Sequence, residues 1–252
     1  IREQLPDWFD RVVWLETLPA GFRGFVFGNE VVDAFPVERF TIENGRLRQL
    51  AVALDGDAFV WQNIEPSDEL VRAVKAIEAD TGQGFEEGFV SEVNLWLKPW
   101  FAALSRALEQ GAIVLLDYGY PRREFYLPQR AAGTLRCYYR HRAHDDPFLL
   151  PGLQDITSHV DFTALVEAAT DAGLELQGFT SQAQFLLASG LLEHAGAAAV
   201  DGSALEQARL SRDVQQLTLP GAMGESFSAI GFSRGIDEVL LGFDGSDQSH
   251  RL

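Results

Sequence analysis

Carboxylates stand at the ends of two apolar runs in this 252-residue chain. The first run, Gly24-Phe25-Val26-Phe27-Gly28, leads into Asn29-Glu30-Val31-Val32-Asp33. The second, Ala112-Ile113-Val114-Leu115-Leu116, leads into Asp117-Tyr118-Gly119-Tyr120. Apolar runs without polar alternation predict strands buried on both faces, as in a parallel sheet. In open α/β sheets the carboxyl ends of such strands border the ligand crevice. A helix starting after the first run would put Glu30 and Asp33 on one face. Acids there would also suit the positive end of that helix. Two fixed carboxylates can grip a cation, best of all a guanidinium, through paired charge-assisted hydrogen bonds. These residues support an α/β enzyme, but the acids alone do not name its reaction.

Other chemical patterns are weaker. Gly231-Phe232-Ser233-Arg234-Gly235 has the form of a nucleophile elbow, which needs an acid and then a histidine on later strands. Only 17 residues follow Gly235, and His250 has no strand behind it, so the match reads as chance. Gly82-Gln83-Gly84 with Gly88 has the wrong spacing for a dinucleotide loop, no strand precedes it, and Glu86 and Glu87 would repel phosphate. His141, His144 and His159 form no zinc spacing, so no metal is expected. For His159, just before Val160-Asp161, orienting a loop is the plain reading. Residues 120–152 are irregular, aromatic and basic, with Arg122, Arg123, Arg130, Arg136, Arg140 and Arg142. So long a loop suggests function, its aromatics argue against disorder, and internal ion pairs are the plain reading of its arginines.

The elements that must hold these residues follow from local signals. Val12 to Leu15 reads as a short strand. After Pro36 the period changes to two, and Asn44-Gly45 and Asp55-Gly56 mark hairpin turns, which predicts a three-stranded meander over 37–62. Helices are expected from Ser67 to about Asp80, from Leu95 to Gln110, from the Asp161 cap to Ala172, and from Ala204 to Leu217. Glycines stop the first three, and strands at Ala112, Leu174 and Phe227 complete a repeated helix–strand pattern that argues for α/β.

Composition narrows the setting. A net charge of −17 repels nucleic acid and anionic membranes and favours basic partners. Cys137 is the sole cysteine, so no internal disulfide forms and a reducing compartment fits. No apolar run approaches the roughly 18 residues of a membrane span. The scarcity of lysine against arginine hints at a bacterial source. Ile1 to Leu5 reads like the end of a helix, so the chain is expected to be cut at its front.

Five segments occur in one order: Gly28 to Pro36, Leu116 to Tyr120, Gly133-Thr134-Leu135-Arg136-Cys137-Tyr138-Tyr139-Arg140-His141, Gly152 to Phe162 and Gly178 to Leu186. Together they resemble the MidA family of S-adenosylmethionine-dependent methyltransferases, which includes a mitochondrial arginine methyltransferase assisting respiratory complex I assembly. The resemblance implies a Rossmann-like class I methyltransferase sheet lacking its first two strands. Residues 1–252 would then be a partial methyltransferase domain, with the 37–62 meander as an insertion and 120–152 as a basic aromatic loop. It further implies S-adenosyl-L-methionine as cofactor, although the family's glycine-rich binding loop is absent from this chain, so the isolated chain should bind it weakly or not at all. Glu30 and Asp33 would be catalytic, fixing a guanidinium for in-line attack on the sulfonium methyl. Asn29 would face the methionine end of the cofactor, and Asp117, Tyr118 and His159 would bind substrate. The implied partner is a protein presenting arginine, with no nucleic acid and no membrane span, and a homodimer is compatible. The implied location is the bacterial cytoplasm, or the mitochondrial matrix in a eukaryote. A non-catalytic assembly module using the arginine-aromatic loop remains an alternative; hydrolysis through Ser233 is a remote one.

Overall fold

The computed structural model describes residues 6–140, 142–200 and 202–252. The expectation of a helix end at Ile1 to Leu5 lies outside them, as does His141. A 3-10 turn at Pro6–Arg11 precedes β1 (Phe22–Asn29), then come the meander strands β2 (Glu38–Glu43), β3 (Arg46–Asp55) and β4 (Ala58–Ile64). Helix α1 (Asp68–Thr81), strand β5 (Val90–Val93) and helix α2 (Leu97–Ala107) lead into the long strand β6 (Leu108–Tyr120). A short helix α3 (Arg122–Phe125) precedes β7 (Arg136–Tyr139), β8 (Arg142–His144), β9 (Asp155–Thr157) and β10 (Val160–Asp161). Helix α4 (Phe162–Asp171), strand β11 (Glu175–Ser181), helices α5 (Gln182–Ala188), α6 (Leu191–Ala199) and α7 (Ala204–Thr218), and strand β12 (Phe227–Arg234) follow.

The main sheet has the order β1-β6-β12-β11, with β10 beside the end of β6. Strands β1 and β6 are parallel neighbours, from Phe22 opposite Leu108 to Asn29 opposite Leu116. The expected adjacency of the two acid-tipped runs is therefore present, but the sheet is mixed. Strand β12 lies antiparallel to both β6 and β11. Its place is fixed by close packing: Gly178 and Gly231 sit opposite each other, and a Cβ on either would come within 2.7 or 2.4 Å of Phe243. Phe243 thus closes one face of β11 and β12, where no larger residue would fit.

Burial separates the two runs. Residues 112–116 of β6 are buried on both faces. Strand β1 ends the sheet among the described residues, and its Phe25 and Phe27 are 63% and 64% exposed. The expectation of burial on both faces fails for β1 because helices cover only one of them. On that side, Phe22 and Val26 join a core of Phe101, Leu104, Phe162, Leu165, Phe179 and Phe232 under α2 and α4. Val12 to Leu15 forms no strand; Val13 and Trp14 are 75% and 76% exposed, with no ladder partner beside them.

The meander has four strands, order β4-β3-β2-β5, because β5 pairs with β2 after α1. Phe40 and Phe89 bury its inner face on Leu70, Val74 and Ile77 of α1. That helix begins as expected: Ser67 Oγ accepts the Leu70 N–H at 3.1 Å, and Gly82 ends it in the left-handed region. Helix α2 ends earlier than expected, at Ala107. Leu108 is extended and buried, and the Arg234 guanidinium binds the carbonyls of Ser105 and Leu108. An arginine on those last carbonyls stands in for further helical turns. The basic aromatic loop is largely ordered too, with β7, β8 and β9 forming a second small sheet in the order β8-β7-β9. No helix of the described residues is long and apolar enough to cross a membrane.

Candidate active site

The carboxyl ends of β1 and β6 and the segment from β9 to β10 surround a crevice of about 1410 Å³. Glu30, Asp33, Tyr118, Tyr120 and His159 line it. The chain leaving β1 does not start a helix, so Glu30 and Asp33 do not share a helical face. Glu30 instead adopts a left-handed φ of 50°, and its N–H donates to Leu116 O at 2.9 Å. The N–H groups of Val31, Val32 and Asp33 then converge on one oxygen of Asp117, at 3.2, 2.9 and 3.2 Å. A buried carboxylate on the neighbouring strand gives these donors a stronger acceptor than a helical turn would. A left-handed non-glycine residue costs about 1–3 kcal/mol and persists only where its surroundings fix it.

The two acids of the turn differ sharply. Asp33 is 3% exposed, and its Oδ2 accepts the Tyr118 hydroxyl at 2.5 Å. Its Oδ1 is buried with no partner. Glu30 is exposed at the rim, where its Oε1 accepts from Asn29 Nδ2 at 3.2 Å. Asn29 sits at the tip of β1 outside the crevice wall. Asp117 also departs from expectation: it is 1% exposed and lies behind the wall rather than in it. His159 packs edge-on against Tyr118 and Tyr120, with ring centroids 5.3 and 5.2 Å away, and its Nδ1 is buried without a partner.

Electrostatics follow from burial. Desolvation raises the Asp33 carboxyl above its ordinary range, opposed by the Tyr118 hydrogen bond. Burial, and then the neighbouring Asp33, push Asp117 up to about 7, against backbone donors that favour its ionised form. Burial and the Asp33 charge also raise the Tyr118 phenol, so it remains a donor at neutral pH. Burial, then Arg130 and Arg136, pull His159 down to about 4, so its ring is neutral. The crevice therefore has a nearly buried carboxyl in its wall, a rim carboxylate and a neutral aromatic side. That combination suits a cationic group with several N–H donors.

One anchor was hidden within the basic loop. Arg122 is buried, with Nε 3.3 Å from Asp161 and its other nitrogens 2.8 and 2.5 Å from Glu167. Asp161 also caps α4 through the Ala164 N–H at 3.1 Å, and only that second role shows in the sequence. Glu92 is likewise buried, held by Arg39 at 3.0 Å and by the Thr134 N–H at 2.7 Å. Ser233 is buried within β12 and accepts from Gln177 Nε2 at 2.7 Å, so it forms no nucleophile elbow. Among the described residues no cluster of ligands could hold a metal ion.

Comparison with known proteins places this geometry. A COG1565 superfamily member from Burkholderia thailandensis, solved bound to S-adenosyl-homocysteine, superposes with a TM-score of 0.91 at 40% identity, covering all of this chain and 64% of that one. A native structure of a COG1565 superfamily protein from the same organism gives 0.88 at 41% identity and is covered over 67% of its length. The mitochondrial protein arginine methyltransferase NDUFAF7 homolog of Drosophila melanogaster is 24% identical over 88% of this chain and 49% of its own length. Its Danio rerio counterpart is 25% identical over 84% of this chain and 48% of its own. The chain thus spans about half the length of these curated relatives. The crevice, about 1410 Å³, has room beside its acids for the methionine end of S-adenosyl-L-methionine. For the nucleoside end, none of the described strand-to-helix turns is a glycine-rich loop. The Methyltransf_28 family profile matches residues 1–180, and the chain belongs to that family of S-adenosyl-L-methionine-dependent methyltransferases.

Proposed function

We propose that this chain supplies the substrate-gripping half of a protein arginine N-methyltransferase, with a subunit of a respiratory complex I-type assembly as its substrate. The observation that carries this reading is Asp33, a nearly buried carboxyl that lines the crevice at the strand ends and whose Oδ1 has no hydrogen-bond partner. An unpaired acceptor of this kind costs about 1–3 kcal/mol, which a substrate N–H would recover. A guanidinium is planar and keeps its charge, so it can meet Asp33 with one edge and Glu30 with another. S-Adenosyl-L-methionine, when bound, supplies an electrophilic methyl group. The Asp33 carboxylate, fixed by the Tyr118 hydroxyl, would hold the guanidinium so that one nitrogen points along the line of attack, and the charge would settle on the others. Tyr118 and the neutral His159 ring would exclude water from that side. The names of the Drosophila and Danio relatives, both protein arginine methyltransferases, support the choice of arginine.

A second reading, a partner-binding assembly module, is favoured by the exposed Val52, Leu54 and Phe59 on the β3–β4 hairpin. Methyl transfer separates the two. The full-length protein, incubated with labelled cofactor and peptides presenting arginine or lysine, is expected to label arginine. Label only on lysine, or none with cofactor bound, would reject the arginine reading. Calorimetry on residues 1–252 alone is expected to show weak cofactor binding, because none of the described strand-to-helix turns is a glycine-rich loop for its nucleoside end. Low-micromolar affinity would overturn that expectation.

A further inference from the structure

A carboxylate that takes three consecutive backbone N–H groups on one oxygen does more than fill a hydrogen-bond quota. It sets the path of those residues. Asp117 Oδ2 receives Val31, Val32 and Asp33, while Oδ1 receives the N–H of Tyr118 at 3.0 Å. One side chain therefore fixes both partners of the Tyr118–Asp33 hydrogen bond, one on β6 and the other in the turn after β1. The same clamp follows Glu30, whose left-handed conformation aims its carboxylate at the rim rather than along the strand. The Ser158 N–H donates to Asp33 O at 2.9 Å, which ties the residue before His159 to this turn. With 1% exposure and no place in the crevice wall, Asp117 has no route to a substrate of its own.

We infer that Asp117 is a positioning residue, whose carboxylate shapes the turn after β1 so that Asp33 stands in the crevice wall with its Oδ2 on the Tyr118 hydroxyl. This rests on the reading of Asp33 as the group that grips substrate. Asparagine at 117 keeps the size but has one acceptor oxygen and no charge. The turn then loses charge-assisted bonds and gains freedom, and small misplacements of a reacting group cost up to about 100-fold in rate.

The test uses the full-length protein carrying D117N, D33N or both. D117N is expected to lower kcat by about 10- to 100-fold with the cofactor KM changed less than about 3-fold. Because it acts through Asp33, the double variant should fall no more than about 3-fold below D33N. Amide hydrogen exchange at Val31 to Asp33 should speed up at least about 10-fold in D117N, with the β6 amides unchanged. Wild-type turnover in D33N would reject the reading of the site, and the inference with it. Impaired D33N beside wild-type turnover in D117N would reject the positioning role alone. So would multiplied losses in the double variant, or unchanged exchange in the turn. Should D117N fail to fold, an α-hydroxy acid at position 32 keeps every side chain, removes the Val32 N–H that bonds Asp117 at 2.9 Å and weakens only the Val31 carbonyl besides. That ester is expected to lower kcat by about 3- to 10-fold, and unchanged turnover would overturn the inference.

Discussion

Asp33→Asn in the full-length protein is expected to lower kcat by about 30- to 1000-fold, with cofactor affinity within about 3-fold of wild type. The substitution keeps the shape and a partner for Tyr118 but removes the carboxylate from the crevice wall. Losing a charge-assisted bond at a site this buried costs about 2–4 kcal/mol, which gives that range. Glu30→Gln should cost less. Glu30 is exposed at the rim, and an ion pair in that setting is worth up to about 1 kcal/mol, or roughly 5-fold. The asymmetry is the informative result, because spacing alone treats the two acids alike. Single-turnover rates with an arginine peptide would measure it. Equal losses at both positions, or wild-type rates at Asp33→Asn, would show that the buried oxygen is not the substrate's anchor.

The second large effect concerns the fold rather than the chemistry. Arg122→Met should destabilise the chain by about 3–5 kcal/mol, because it leaves a buried carboxylate without its counter-charge. The loss should arise mainly at Asp161, whose side chain is 9% exposed, since Glu167 is 52% exposed and water can take over there. Its size should depend on pH. Burial already raises Asp161 to about 6, above its ordinary 3.8, even with Arg122 beside it. A raised carboxyl contributes stability that is present below 3.8 and lost as pH climbs through the folded value. Without Arg122 the folded value rises further, so the lost portion grows. Urea unfolding should therefore show a larger deficit at pH 8 than at pH 5. A deficit independent of pH would place the damage in packing instead.

Local signals were legible in the sequence where the chain satisfies itself. Ser67, Gly82 and Asp161 cap or stop their helices from within a few residues, and Asn44-Gly45 turns the β2–β3 hairpin. The neighbouring of β1 and β6 was legible as well, because apolar runs tipped with acids belong together at a sheet's carboxyl edge. The crevice does bring Glu30, Asp33, Tyr118 and His159 together. What could not be read depends on partners far along the chain. Arg122 meets Asp161 and Glu167 across 39 and 45 residues. The antiparallel insertion of β12 depends on Phe243 filling the space above Gly178 and Gly231. Asp117 was misplaced for a related reason. A strand-end acid looks the same in sequence whether it faces a ligand or the backbone of the next strand.

Among the described residues no strand pairs with the outer side of β1, and that edge governs how residues 1–252 behave at high concentration. A row of amide groups flanked by exposed Phe25 and Phe27 is a template for another strand, including one from a second molecule. Against that stands the net charge of −17, which holds molecules apart at long range. The two act over different distances, and dissolved ions weaken only the repulsion, whose reach shrinks to about 8 Å at physiological ionic strength. Residues 1–252 should accordingly scatter more light as sodium chloride is raised, the reverse of salting-in. Phe25→Lys, which puts a charge in the middle of that row, should abolish the rise. Scattering that ignores salt, or that Phe25→Lys leaves intact, would locate the adhesive surface elsewhere.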